Sequence, residues 1–152
     1  MTKKVEFRGL LPYLYYEDAG AMLDWLSRAF GFEERGRYVD KDGIVRQAEM
    51  LVGENELWFS GHGPGFWEAK GGRPDTWIGV WVDDVDAMYE HVREVGIESE
   101  LPEDKDYDVR SYQVKDPEGV TWGFMKRLGK PYVQRIPTEE GGLEEIVSPR
   151  SG

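Results

Sequence analysis

The chain has 152 residues, no cysteine, a formal charge of −11 and an isoelectric point near 4.7. Such an acid excess suits neither phosphate backbones nor anionic lipid surfaces, so no nucleic acid and no membrane partner is expected. Without cysteine there is no disulfide, thiolate metal site or cysteine nucleophile, while 39% hydrophobic and 13% aromatic residues suffice for a real core.

The N-terminal stretch MTKKVEFRGLLPYLYYEDAG lacks an apolar run of signal-peptide length, and nothing downstream could span a bilayer, which predicts a cytoplasmic protein. LPYLYY, ended by acids, is an apolar run of strand length. A helix is predicted over 19–30, capped by Asp18 and closed by Gly31, with Met22, Trp25, Leu26 and Ala29 on one stripe. Strands follow at 32–39, 44–52 and 55–60, the first two joined by the turn Asp40-Lys41-Asp42-Gly43. SGHGPGFWEAKGGRPD is a Gly- and Pro-rich loop. A strand at 77–83 then leads into a second helix, capped by Asp84 and ended by Gly96, whose stripe is Val85, Met88, Val92 and Val95. Further strands are predicted at 97–101, 109–115 and 120–127, the last two joined by Asp116-Pro117-Glu118-Gly119. Beyond Leu128 the chain is polar and without pattern.

The two series are copies. Asp18, Ala21 and Met22 fall on Asp84, Ala87 and Met88 at a spacing of 66, and LWF (57–59) falls on WGF (122–124) at a spacing of 65. A unit present twice is a repeated supersecondary motif and not a solenoid. One domain over 1–128 is therefore expected, with module one at about 8–60, a linker at 61–74 and module two at about 75–128. Residues 129–152 would form a polar C-terminal tail.

The doubled βαβββ layout, Phe-Gly-Phe after the first helix and the closing DPEG-x-x-W-x-F resemble the vicinal oxygen chelate superfamily, and within it the glyoxalase/bleomycin-resistance proteins. The resemblance implies an α+β fold in which paired βαβββ modules form a cupped eight-stranded sheet with the ligand on its concave face. Metal-dependent members take a His or Gln from the first strand of each module and a Glu from the last. Carried onto this chain, those positions are Leu11 and Trp77 on the first strands, Trp58 and Gly123 on the last. None offers a side-chain donor suited to a divalent ion. No metal and no cofactor is therefore expected. His62, in the glycine-rich loop, and His91, beside the second helix stripe, both read as exposed.

Period two then assigns faces. On 77–83 the β-branched Ile78, Val80 and Val82 suit packing beneath a helix, leaving Trp77, Gly79 and Trp81 to the cup. The same parity gives the cup Tyr13 and Tyr15, with Trp58 and Ser60 from the first module's last strand. A type I turn with a glycine bulge pairs Asp116 with Val120, so Gln113 lies opposite Gly123 and Ser111 opposite Met125, all on the cup face. In the first module Gln47 and Glu49 fall there, Glu49 being the one candidate general base. Gly123 is expected to leave open space amid these aromatics.

Aromatic walls with neutral polar groups suit a planar or amphipathic small organic ligand; alternatively the rings fill the hollow themselves. The expectation is a non-catalytic, small-molecule-binding homodimer, as in antibiotic-sequestering members of the superfamily. The alternatives are a lyase, isomerase or dioxygenase, metal-free or with relocated metal ligands, and a scaffold acting through its surface.

Overall fold

A computed structural model describes residues 2–130 and 132–148. The chain divides into two compact units, Met1–Pro74 and Asp75–Gly152.

The first unit runs β1 (Tyr13–Tyr16), α1 (Ala19–Phe30), β2 (Glu33–Val39), β3 (Val45–Val52), β4 (Asn55–Gly61) and a single turn of helix, α2 (Phe66–Ala69). Its sheet has the order β1-β4-β3-β2, with β1 parallel to β4 and the other pairs antiparallel. The strand predicted from Leu11 enters the ladder only at Tyr13, since Pro12 has no N–H to donate. Helix α1 starts where Asp18 Oδ1 accepts from Ala21 N at 3.0 Å. It stops at Gly31, whose φ of 76° few other residues adopt without strain. Its buried face, Met22, Leu23, Leu26 and Ala29, covers Ala48, Met50, Leu57 and Phe59 of the sheet. Each of the larger side chains contributes on the order of 2 kcal/mol by burial. Trp25, predicted on this stripe, lies at its half-buried edge, its ring edge-on to Phe30 at 5.1 Å.

The second unit repeats the plan: β5 (Trp77–Trp81), α3 (Val85–Glu94), β6 (Glu103–Asp104), β7 (Val109–Lys115) and β8 (Thr121–Arg127), in the order β5-β8-β7-β6. Asp84 caps α3 through Ala87 N at 2.9 Å. Val85 and Val92 are buried on the helix side, as are Tyr112, Val114, Trp122 and Phe124 of the sheet.

Three predicted segments differ. The strand expected at 97–101 is absent; pairing with β7 begins only at Glu103, after Pro102. Proline cannot donate to a ladder, and Ile97 N is spent on Val92 O at the helix end. The linker contains the helical turn α2. The segment read as a patternless tail carries a hairpin of β9 (Tyr132–Pro137) and β10 (Leu143–Ser148), a separate two-stranded sheet.

One loop design closes three hairpins. Asp40, Asp116 and Thr138 each donate their N–H to the carbonyl four residues on, at 2.9 Å, and accept from a glycine N–H three residues on at 3.0 Å. In each case the side-chain oxygen also accepts the N–H of the residue four positions on, at 3.0 Å. Among the described residues no helix is long and apolar enough to cross a membrane.

Candidate functional site

Turning the apolar residues of each sheet toward its helix leaves the opposite face free, and every sequence-predicted site residue lies on that face of one sheet or the other. In the first unit they form two rows across the strands. Tyr13 pairs with Trp58 and Trp58 with Glu49; Tyr15 pairs with Ser60 and Ser60 with Gln47. Tyr13 and Tyr15 meet edge to face at 5.5 Å, and both remain about half exposed. The indole Nε1 of Trp58 is shielded from solvent and has no hydrogen-bond partner. Glu49 is not isolated: Arg35 of β2 lies 3.8 Å away and also pairs with Glu56.

His62 is exposed, as expected, yet its ring is held against this face. Its Nε2 lies 2.7 Å from Ser60 Oγ, its ring is stacked on Phe66 at 4.2 Å, and Tyr15 meets it edge-on at 5.2 Å. The linker that carries it is fastened to β1 and its end. Glu17 accepts from Gly65 N at 3.2 Å and Trp67 N at 3.1 Å, while Arg73 donates to Tyr15 O and lies over the rings of Tyr16 and Trp67.

In the second unit the rows are Gly79, Gly123 and Gln113, then Trp81, Met125 and Ser111. Here the expectation of open space at Gly123 fails. The Trp77 indole lies across the paired glycines: a Cβ on Gly123 would stand 2.6 Å from Trp77 Cζ2, and one on Gly79 would stand 2.7 Å from Trp77 Cη2. Two glycines side by side are thus a bed for an indole, with the ring in contact with backbone beneath and 51% of Trp77 still exposed. Next to it, Trp81 carries the guanidinium of Arg127 at 4.5 Å from its ring centroid.

At the other edge of this sheet, Ser111 and Gln113 join Glu100, Leu101, Glu103 and Lys105 around an open cleft of roughly 100 Å3. Ser111 is only 3% exposed, and its hydroxyl has no partner. Glu103 pairs with Lys105 and holds its ammonium above the ordinary lysine range, so it stays charged. Behind the cleft, Arg110 bridges Asp104 at 2.9 Å and Asp86 of α3 at 2.8 Å.

The residues do not suit a divalent ion. The positions that the resemblance assigns to metal ligands carry leucine, two tryptophans and a glycine, and the space above that glycine is taken by an indole. Among the described residues no group of three or more His, Cys, Asp or Glu is placed to hold one.

Period two could have found Arg127, which shares its face with Gly123 and Met125. His62 and Phe66 gave no such signal, because they sit on an irregular loop. The cleft residues 100–105 were hidden by the strand expected at 97–101.

The chain matches the model of the Glyoxalase/Bleomycin resistance protein/Dioxygenase superfamily over residues 10–124. No curated protein sequence matches it. Among solved structures, TioX from Micromonospora sp. ML1 is 30% identical, with a TM-score of 0.67 over 80% of this chain and all of that one. A bleomycin-binding protein complexed with bleomycin is 19% identical, with a TM-score of 0.63 over 80% of this chain and 99% of that one. A glyoxalase-related enzyme from Clostridium phytofermentans is 13% identical, with a TM-score of 0.66 over 83% of this chain and 99% of that one. Two four-stranded α+β units, each a copy of the other, and this agreement over most of the sequence make the chain a member of the glyoxalase/bleomycin-resistance/dioxygenase superfamily.

Proposed function

We propose that this protein binds and sequesters a small aromatic or amphipathic organic compound, without a metal ion and without transforming it. The observation that carries this is the exchange at the metal positions. Where the fold's metal-dependent members present donor side chains, this chain has Leu11, Trp58, Trp77 and Gly123, and exposed aromatic rings occupy the same sheet faces. Tyr13 and Tyr15 offer apolar area with polar tips, Trp58 adds ring surface between strands, and Trp77 offers a flat ring backed by glycine; such surfaces suit planar ligands. The bleomycin-bound relative supports a small-molecule role for the fold. The lyase, isomerase or dioxygenase alternative draws no support from Glu49, whose carboxylate is engaged by Arg35. We further propose a cytoplasmic homodimer, to be checked by sedimentation equilibrium.

The test is a thermal-shift screen with planar cationic compounds, bleomycin among them. A ligand at a hundred times its Kd stabilises by about 2.7 kcal/mol, a readily measured rise in Tm. Absence of any shift across the panel at millimolar concentration would refute the proposal.

A further inference from the structure

We infer that the cleft beside β7 receives a protonated amine, the cationic end of a ligand whose ring lies on Trp77; this deepens the proposed function and rests on it. The cleft is small. Roughly 100 Å3 of open space holds a few water-sized groups, enough for an aminomethyl or amidine group.

Its lining sets the chemistry. Glu100 and Glu103 against Lys105 leave one net negative charge, and the Glu103–Lys105 pair leaves Glu100 to face an incoming cation. The residues that line it carry acceptors: the Glu100 carboxylate, the Gln113 amide oxygen and the Ser111 hydroxyl. The last is the decisive one. Ser111 is 3% exposed and its hydroxyl has no partner, which costs about 1–3 kcal/mol, and an ammonium that displaces the side chains covering it from the cleft supplies the missing partner. An anionic group would meet Glu100 unfavourably, and a neutral apolar group would leave Ser111 as it is.

Register places this end next to the aromatic platform. Gln113 pairs directly with Gly123, over which the Trp77 indole lies, so one strand spacing of about 4.8 Å separates ring bed from cleft wall. A planar ring on Trp77 with an amine one or two methylenes away reaches both. Leu101 supplies apolar surface for the connecting methylenes.

The test uses three probes sharing one ring: 2-(1-naphthyl)ethylamine, its N-acetyl derivative and 3-(1-naphthyl)propionate, titrated by calorimetry into the full-length protein. The amine is expected to bind about tenfold tighter than the neutral amide, the strength of one hydrogen bond to a charged group, and the acid weakest. Ser111→Ala and the exposed Glu100→Gln should each weaken the amine about five- to tenfold and leave the amide unchanged. Circular dichroism checks that both variants fold, and Glu100→Gln alone keeps the test decisive if Ser111→Ala does not. Equal affinity for all three probes, or amine binding indifferent to both substitutions, overturns the cleft assignment while leaving the aromatic site standing. Failure of every probe to bind folded wild-type protein overturns the functional proposal, and this inference with it.

Discussion

Trp77 and Gly123 share one volume: the indole lies where a side chain at 123 would begin, with Cζ2 only 2.6 Å from the position of a Cβ. In the first module the corresponding place is taken by Trp58 itself, paired with Tyr13. In the second, both partners are glycine and the ring comes from the next inward-facing position on the same strand. Gly123→Ala must therefore push the indole aside and is expected to destabilise by about 1–3 kcal/mol. In a Trp77→Ala background the same substitution has nothing to displace and should cost well under 1 kcal/mol. Urea unfolding of the four members of this cycle measures the coupling; simple additivity would mean that the ring does not rest on the glycine.

Asp116 holds the last hairpin from inside. It is buried, and its carboxylate accepts from Glu118 N at 3.0 Å, Val120 N at 3.0 Å and the Trp122 indole at 3.1 Å. Asp116→Ala strands all three donors, two of them in the core. Losses of about 3–5 kcal/mol are expected, with Asp116→Asn milder because it keeps one acceptor oxygen. Equal destabilisation by both substitutions, read from thermal unfolding, would show that the charge matters and the remaining acceptor does not.

Much of this fold was open to reading because its signals are local. Asp18 and Asp84 as caps, the period-two alternation of β7 and β8, and the glycine-bulge turn at 116–119 each act within a few residues, and the pairing of Gln113 with Gly123 followed from them. The second-module strand before β7 was misplaced because Ile97-Glu98-Ser99-Glu100-Leu101 alternates as a strand should, yet the helix end and Pro102 claim its backbone. The third hairpin was overlooked although Thr138-Glu139-Glu140-Gly141 uses the punctuation already recognised at Asp40 and Asp116, with a hydroxyl in place of the carboxylate.

The candidate site was legible in position but not in occupancy. Period two identifies which residues share a face; it cannot say that a tryptophan two residues away folds back over Gly79 and Gly123 instead of standing upright. Nor can it place a loop side chain. His62 reached the first module's face because its own N–H and that of Gly63 bond the carbonyls of Tyr16 and Glu17 at 2.9 Å, 46 residues away in sequence, with Glu17 and Arg73 fastening the loop beyond.

Low pH should weaken the β2–β3 turn and the Arg110–Asp86 link through their aspartates. Arg46, hydrogen-bonded at 2.7 Å, together with the Ile44 N–H, holds Asp40 below its ordinary value of 3.8, and Arg110 does the same for Asp86. A folded-state value below the unfolded one gives stability that is complete above pH 3.8 and disappears as pH falls through the lowered value. The difference in stability between wild type and Arg46→Met should therefore be constant from about pH 7 to 5 and shrink towards about pH 2. Urea midpoints across that range measure it, and parallel profiles down to the acid end would show that Arg46 does not act through Asp40.

Loosening the linker loop should be local. Glu17 supplies both acceptors for the N–H groups of Gly65 and Trp67, ahead of and inside the single turn of α2. Glu17→Ala removes them without touching the buried face of α1 or the sheet pairing. Global stability should therefore fall by only about 1–2 kcal/mol, while amide exchange across 63–72 accelerates far more than that loss alone would produce. His62 keeps its own bonds to Tyr16 O and Ser60 Oγ, so its contact with Tyr15 should persist while Phe66, stacked on it at 4.2 Å, loosens. Hydrogen exchange with peptide resolution separates the outcomes: protection lost only between residues 63 and 72 supports the fastening role, whereas equal loss through α1 and β4 would make Glu17 a residue of the global core.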